Sequence, residues 1–99
     1  MAKLKIVWSQ RANIKLFEIL NFYTNRNKST TYSTKLYRRF TQELTLLQKH
    51  PDLGKATDFE SVRGLIVDEF ILFYEITKDC IVVHTVWDCK QNPADLKIK

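Results

Sequence analysis

Residues 59–87 read FESVRGLIVDEFILFYEITKDCIVVHTVW. Three runs rich in β-branched and aromatic residues, 59–67, 70–77 and 80–87, are separated by two residues each, Asp68-Glu69 and Lys78-Asp79. Such composition favours extended chain, and a two-residue gap leaves room only for a hairpin turn. The stretch therefore predicts three consecutive antiparallel strands. Neither gap has Asn-Gly chemistry, so the register is open by a residue or two. The second and third runs are apolar at successive positions, the pattern of central strands covered on both faces.

Before this stretch, HPDLGK (50–55) is punctuation. Pro51 stops a helix, and Asp52 and Gly54 suit a turn. Upstream, Tyr32, Leu36, Phe40, Leu44 and Leu47 recur at helical spacing, with Lys35, Arg38, Arg39 and Gln42 off the stripe. Ala12, Leu16, Ile19, Leu20 and Tyr23 do the same over residues 10–25. Asn25, Asn27 and Ser29-Thr30-Thr31 divide the two patterns, and one of these hydroxyls is expected to cap the second helix. A short link between amphipathic helices implies an antiparallel helical hairpin. Residues 3–8, KLKIVW, alternate as a half-buried strand, and Ser9 is a good N-cap for the first helix. The predicted fold is α+β: β-α-α-β-β-β, a mostly antiparallel four-stranded sheet with a helical hairpin on one face.

At 99 residues the chain holds one domain. Its apolar fraction, 44%, is too high for disorder. No apolar run approaches the ~20 residues of a membrane span, and the N-terminus MAKLKIVWSQ lacks a signal-peptide core. The expectation is a cytoplasmic protein with no membrane partner. Cys80 and Cys89 sit near opposite ends of the last predicted strand, about 30 Å apart, too far for a disulfide. Neither has a neighbour at metal-ligand spacing. The net charge is +5, but residues 1–50 hold ten Lys/Arg against two acids, and residues 51–99 hold six against nine. A basic first half suits an acidic or polyanionic partner, or simply a solvated helix face.

In order, the chain offers Trp8-Ser9 closing a short strand, a helix pair, HPDLG, the arginine-bearing VRGLIV, FILFYEI, and IVVHTVWD followed by KQNP. This set resembles the RelE/ParE superfamily of type II toxin–antitoxin toxins over essentially the whole chain. The resemblance implies a small bacterial toxin, free of cofactors, whose partner is a cognate antitoxin that wraps it with a helix or extended segment. It leaves two targets. RelE-like toxins cut messenger RNA in the ribosomal A site; ParE-like toxins poison DNA gyrase without being nucleases. Fold alone does not choose between ribosome-bound mRNA and gyrase.

Metal-free RNA cleavage needs a base for the ribose 2′-hydroxyl, cations at the phosphate and a proton for the leaving oxygen. Arg63 is the strongest candidate: it interrupts an apolar strand, its fork matches phosphate, and RelE-like nucleases place a phosphate-binding arginine on the corresponding strand. It could equally be a strand residue paired with Glu60, Glu75 or another acid. Lys55 lies in the loop where RelE-like toxins carry active-site lysines, and Lys90 fits their basic position after the last strand. Asp88 is a weaker candidate acid. His50 could act as a base, but more simply ends the helix, where a cation suits the macrodipole. Mid-strand His84, with Val82 and Val86 expected on its face, suits a satisfied structural histidine, and Trp87 suits packing better than base stacking. Cys89 has no histidine partner in view. RelE-like enzymes commonly end in Tyr or His-Tyr, yet no Tyr or His follows residue 84 here, and Asn92-Pro93 with Leu96 is closer to ParE-like tails. A pared-down endoribonuclease using Lys55, Arg63 and Lys90, their lysine pKa values lowered by mutual repulsion, is placed slightly ahead of a gyrase inhibitor whose helical hairpin makes protein contacts.

Overall fold

The computed structural model describes residues 4–90. Seven elements follow one another: β1 (Lys5–Trp8), α1 (Gln10–Asn27), α2 (Thr31–Lys49), β2 (Lys55–Ala56), β3 (Val62–Val67), β4 (Phe70–Ile76) and β5 (Cys80–Asp88). The strands form one sheet in the order β1-β5-β4-β3-β2. β1 runs parallel to β5, and the other neighbours are antiparallel. The predicted α+β architecture holds, with a helical hairpin on one face. The sheet has five strands instead of four, because the two-residue β2 pairs with Arg63 and Gly64.

The first of the three predicted strands starts late. Residues 57–61 are a turn, not the beginning of a strand. The Thr57 hydroxyl donates to the carbonyls of Phe59 and Val62 and accepts the Phe59 N–H, and Ser61 adopts φ 66°. Local hydroxyl-to-backbone bonds outcompete strand pairing over this stretch, leaving Phe59 exposed.

α1 begins where the sequence indicates. The Ser9 hydroxyl accepts the Ala12 N–H at 3.1 Å and donates to the His84 carbonyl at 3.0 Å, so one side chain caps the helix and ties it to β5. Ser9→Ala should lower unfolding free energy by about 1–2 kcal/mol in urea denaturation; a change under about 0.3 kcal/mol would show the tie to be idle. The C-terminal end closes on Lys28 in the left-handed region, its N–H returning to Thr24 O. Thr30 occupies the cap position of α2 without a side-chain cap. Ser29 serves instead, accepting the Thr31 N–H at 3.2 Å.

The helical stripes face the sheet. Ala12, Leu16, Leu36, Phe40, Leu44 and Leu47 are buried against Leu65, Val67, Phe70, Leu72, Tyr74, Ile81, Val83 and Val86. The opposite sheet face carries a smaller cluster of Val62, Phe73 and Trp87, with Ile71 against it. Apolar residues at successive positions of β4 thus serve two faces, as expected. β5 contains a bulge: Phe73 pairs with Thr85 but Tyr74 with Val83, so His84 is the extra residue. The extra residue shifts the alternation. Val86 therefore joins the helix-facing core, and His84 shares its face with Val82 but not, as expected, with Val86.

Candidate functional site

The loop that follows α2 is bonded directly to the sheet. His50 is the C-cap, its N–H donating to Leu46 O, and Pro51 comes next, where no helical N–H is needed. The loop is gripped from the sheet by the cross-strand pair Arg63 and Tyr74. The Tyr74 hydroxyl donates to Pro51 O at 2.8 Å and accepts the Gly54 N–H at 2.9 Å. Arg63 Nη1 donates to Gly54 O at 2.8 Å, and its Nη2 lies 3.7 Å from Asp52 Oδ1. Tyr74 is fully buried, and burial raises its phenol above the ordinary value, against the lowering effects of the Gly54 N–H and Arg63. Gly54 is required by contact: a Cβ there would lie 2.5 Å from the Tyr74 hydroxyl oxygen.

Arg63 therefore has a structural occupation. Its acid partner is Asp52, not Glu60 or Glu75. One guanidinium nitrogen is hydrogen-bonded to the loop and a second lies in ion-pair range of Asp52, and the side chain is 37% exposed, so it keeps donors for an anion.

The other candidates lie apart from it. Lys55 pairs with Gly64 and Gly64 with Phe73, which puts Lys55 on the sheet face opposite Arg63. Asp88 pairs with Phe70, at the far end of β4 from Tyr74. Four residues of strand separate those rows by about 13 Å. Lys90 sits at that far end, its Nζ 3.1 Å from Glu69 Oε2 and its N–H donating to Asp88 Oδ1 at 2.9 Å. The hydrogen bond to Glu69 raises the Lys90 pKa, opposite to what a lysine acting as a base requires. His50 is exposed at its helix end.

His84 Nε2 lies 2.8 Å from Glu75 Oε1, with both side chains largely shielded, as expected of a satisfied histidine. Trp87 is packed, 7% exposed. Cys80 and Cys89 are both free thiols. Among the described residues no group of His, Cys, Asp or Glu could hold a metal ion, and no helix is long and apolar enough to cross a membrane. Lys3, Asn92-Pro93 and Leu96 lie outside the described residues. Tyr74 and the pairing of Asp52 were not anticipated. The available signal was a tyrosine inside an apolar strand, whose buried hydroxyl needs a partner.

The fold matches a solved structure, "Chromosomal ParDE TA system from P. aeruginosa", with a TM-score of 0.76 over 89% of this chain and 98% of that one. At 15% identity this likeness concerns the fold alone. No curated protein sequence matches the chain. The family model "ParE toxin of type II toxin-antitoxin system, parDE" matches residues 6–93. Spanning β1 through the clamped loop to the end of β5, that match shows that the chain belongs to the ParE toxin family of type II toxin–antitoxin systems.

Proposed function

We propose that the protein is a growth-inhibiting toxin that acts on DNA gyrase by protein contact, is held in check by a cognate antitoxin, and does not cleave mRNA. The observation that carries this is the scatter of the cations. Phosphoryl chemistry needs its groups converged on one phosphate within hydrogen-bond reach. Arg63 clamps a loop, Lys55 lies on the opposite sheet face, and Lys90 is paired with Glu69 about 13 Å along the strand. This scatter is our reason for placing gyrase ahead of mRNA, the opposite of the order read from sequence alone. The helical hairpin, with Lys15, Arg26, Lys35 and Arg38 at its surface, supplies a protein-contact face.

The test is induction of the toxin followed by mapping of transcript 5′ ends, with chromosome integrity and the SOS response followed in parallel. Intact transcripts with double-strand breaks are expected, and Lys55→Ala and Lys90→Ala should leave toxicity within about threefold of the unsubstituted protein, as for surface changes away from the contact face. Codon-positioned cuts that vanish in Arg63→Ala would reject the gyrase mechanism.

A further inference from the structure

Residues 51–54 form a surface loop that is held at both ends. The Tyr74 hydroxyl takes Pro51 O and the Gly54 N–H, and Arg63 takes Gly54 O. The Leu53 N–H donates to His50 O at 3.1 Å, which ties the middle of the loop to the cap of α2. The hold is deep, because Tyr74 is 0% exposed and Gly54 is buried. Between these fixed points stands Leu53, 49% exposed. Loops on protein surfaces are usually mobile, with small or polar residues at their tips. Here a core tyrosine and a strand arginine are both directed at a loop that displays a leucine.

An exposed leucine alone is ordinary. What matters is that its backbone is fixed before any partner arrives. The chain entropy of the loop is already spent, so seating Leu53 in a partner costs only side-chain freedom. The loop also continues directly from α2, and so stands at the end of the hairpin to which target contact is assigned above. Its border is cationic. Lys49 is exposed in the last turn of α2, and the carboxylate next to Leu53, Asp52, is already in ion-pair range of Arg63. An apolar tip with such a border fits an apolar pocket rimmed by carboxylates.

We infer that Leu53 is a contact residue of the toxin for gyrase, seated in an apolar pocket bordered by carboxylates, and that Tyr74 and Arg63 are positioning residues that hold it in place. The inference rests on the gyrase mechanism proposed above. Leu53 makes the contact; Tyr74 and Arg63 act through it.

The test measures affinity of the full-length toxin for purified gyrase by titration calorimetry, comparing Leu53→Ala, Tyr74→Phe, their double variant and Ile66→Ala with the unsubstituted protein. Ile66 is the control: it is 58% exposed and lies on the opposite sheet face, paired with Ile71. Circular dichroism with thermal melting checks each fold, and binding is read well below every melting point. Leu53→Ala should weaken binding about tenfold or more, as expected when an apolar side chain is no longer buried. Ile66→Ala should leave it within about threefold. Tyr74→Phe removes only the hydroxyl and frees the loop, so it should weaken binding about fivefold. In the Leu53→Ala background the same change should have no further effect, because the tyrosine acts through that side chain. A Leu53→Ala protein that binds gyrase within about threefold of the unsubstituted toxin would overturn the contact while leaving the gyrase mechanism standing. Equal losses in Leu53→Ala and Ile66→Ala would overturn it too, as would a Leu53→Ala protein that loses affinity for the purified antitoxin and not for gyrase. A Tyr74→Phe loss of the same size in both backgrounds would overturn the positioning role. If the unsubstituted toxin does not bind gyrase, the mechanism fails and the contact with it.

Discussion

Phe40→Ala is expected to lower the free energy of unfolding by about 3–5 kcal/mol, a large part of the roughly 5–15 kcal/mol available to a domain of this size. Phe40 is 0% exposed, midway along α2, and its ring meets Phe70 edge to face at 5.6 Å. Leu36, Leu44 and Leu47 surround it on the same helix face. The substitution removes the ring and leaves a cavity whose walls are both the hairpin and the sheet. Neither wall can close it alone, because α2 is held at Ser33 by α1 and at Gln48 by Leu4 O. The lost dispersion contacts and edge-to-face contact are therefore not recovered by collapse. Urea denaturation measures the change. A loss below about 1.5 kcal/mol would mean that the helix layer relaxes onto the sheet, and that the two are less firmly joined than their packing indicates.

Gly54→Ala should cost about 2–3 kcal/mol, more than an exposed loop substitution would. The new Cβ would meet Tyr74 Oη at 2.5 Å and Cε1 at 2.6 Å. Tyr74 is fully buried and cannot swing aside, so either its ring shifts and both its hydrogen bonds fail, or the loop lifts and Arg63 loses Gly54 O. Buried groups left unpaired then carry their full desolvation cost. The clamp has an alkaline limit that provides a second readout. Burial holds the Tyr74 pKa above its unfolded value of 10.0, so this contribution is complete below about pH 10 and is lost as pH rises through the higher folded value. Stability of the unsubstituted protein should fall there more steeply than that of Tyr74→Phe. A Gly54→Ala protein as stable as its parent would show that the loop is not gripped.

Most of the fold was legible because its elements are long or closely spaced. Helical stripes over 10–25 and from Tyr32 to Leu47, and two-residue gaps at 68–69 and 78–79, leave few other arrangements. The misses have local causes. β2 is two residues long and exists only because Arg63 and Gly64 accept it, so no periodicity announces it. Phe59-Glu60-Ser61 has strand-like neighbours, but the Thr57 hydroxyl bends the chain first. The side assignment of Val86 failed because alternation is conserved only until a bulge, and His84 supplies one.

The site was less legible than the fold. Arg63 stood out as a charge inside an apolar strand, but its partner, Asp52, depends on how a loop folds over the sheet edge. Tyr74 was hidden among apolar neighbours, although it holds the same loop at Pro51 and Gly54. Proximity of Lys55, Arg63 and Lys90 depended on sheet register. The observed register puts Lys55 on the far face and Lys90 near Glu69.

The most direct test of the proposed target uses purified components. The toxin is incubated with DNA gyrase, ATP and plasmid, and in parallel with translating ribosomes on a defined message, each with and without the cognate antitoxin. Protein-linked double-strand breaks in the plasmid, suppressed by antitoxin, with the message intact, are predicted. An unbroken plasmid alongside a message cut in the ribosomal A site would contradict the gyrase mechanism.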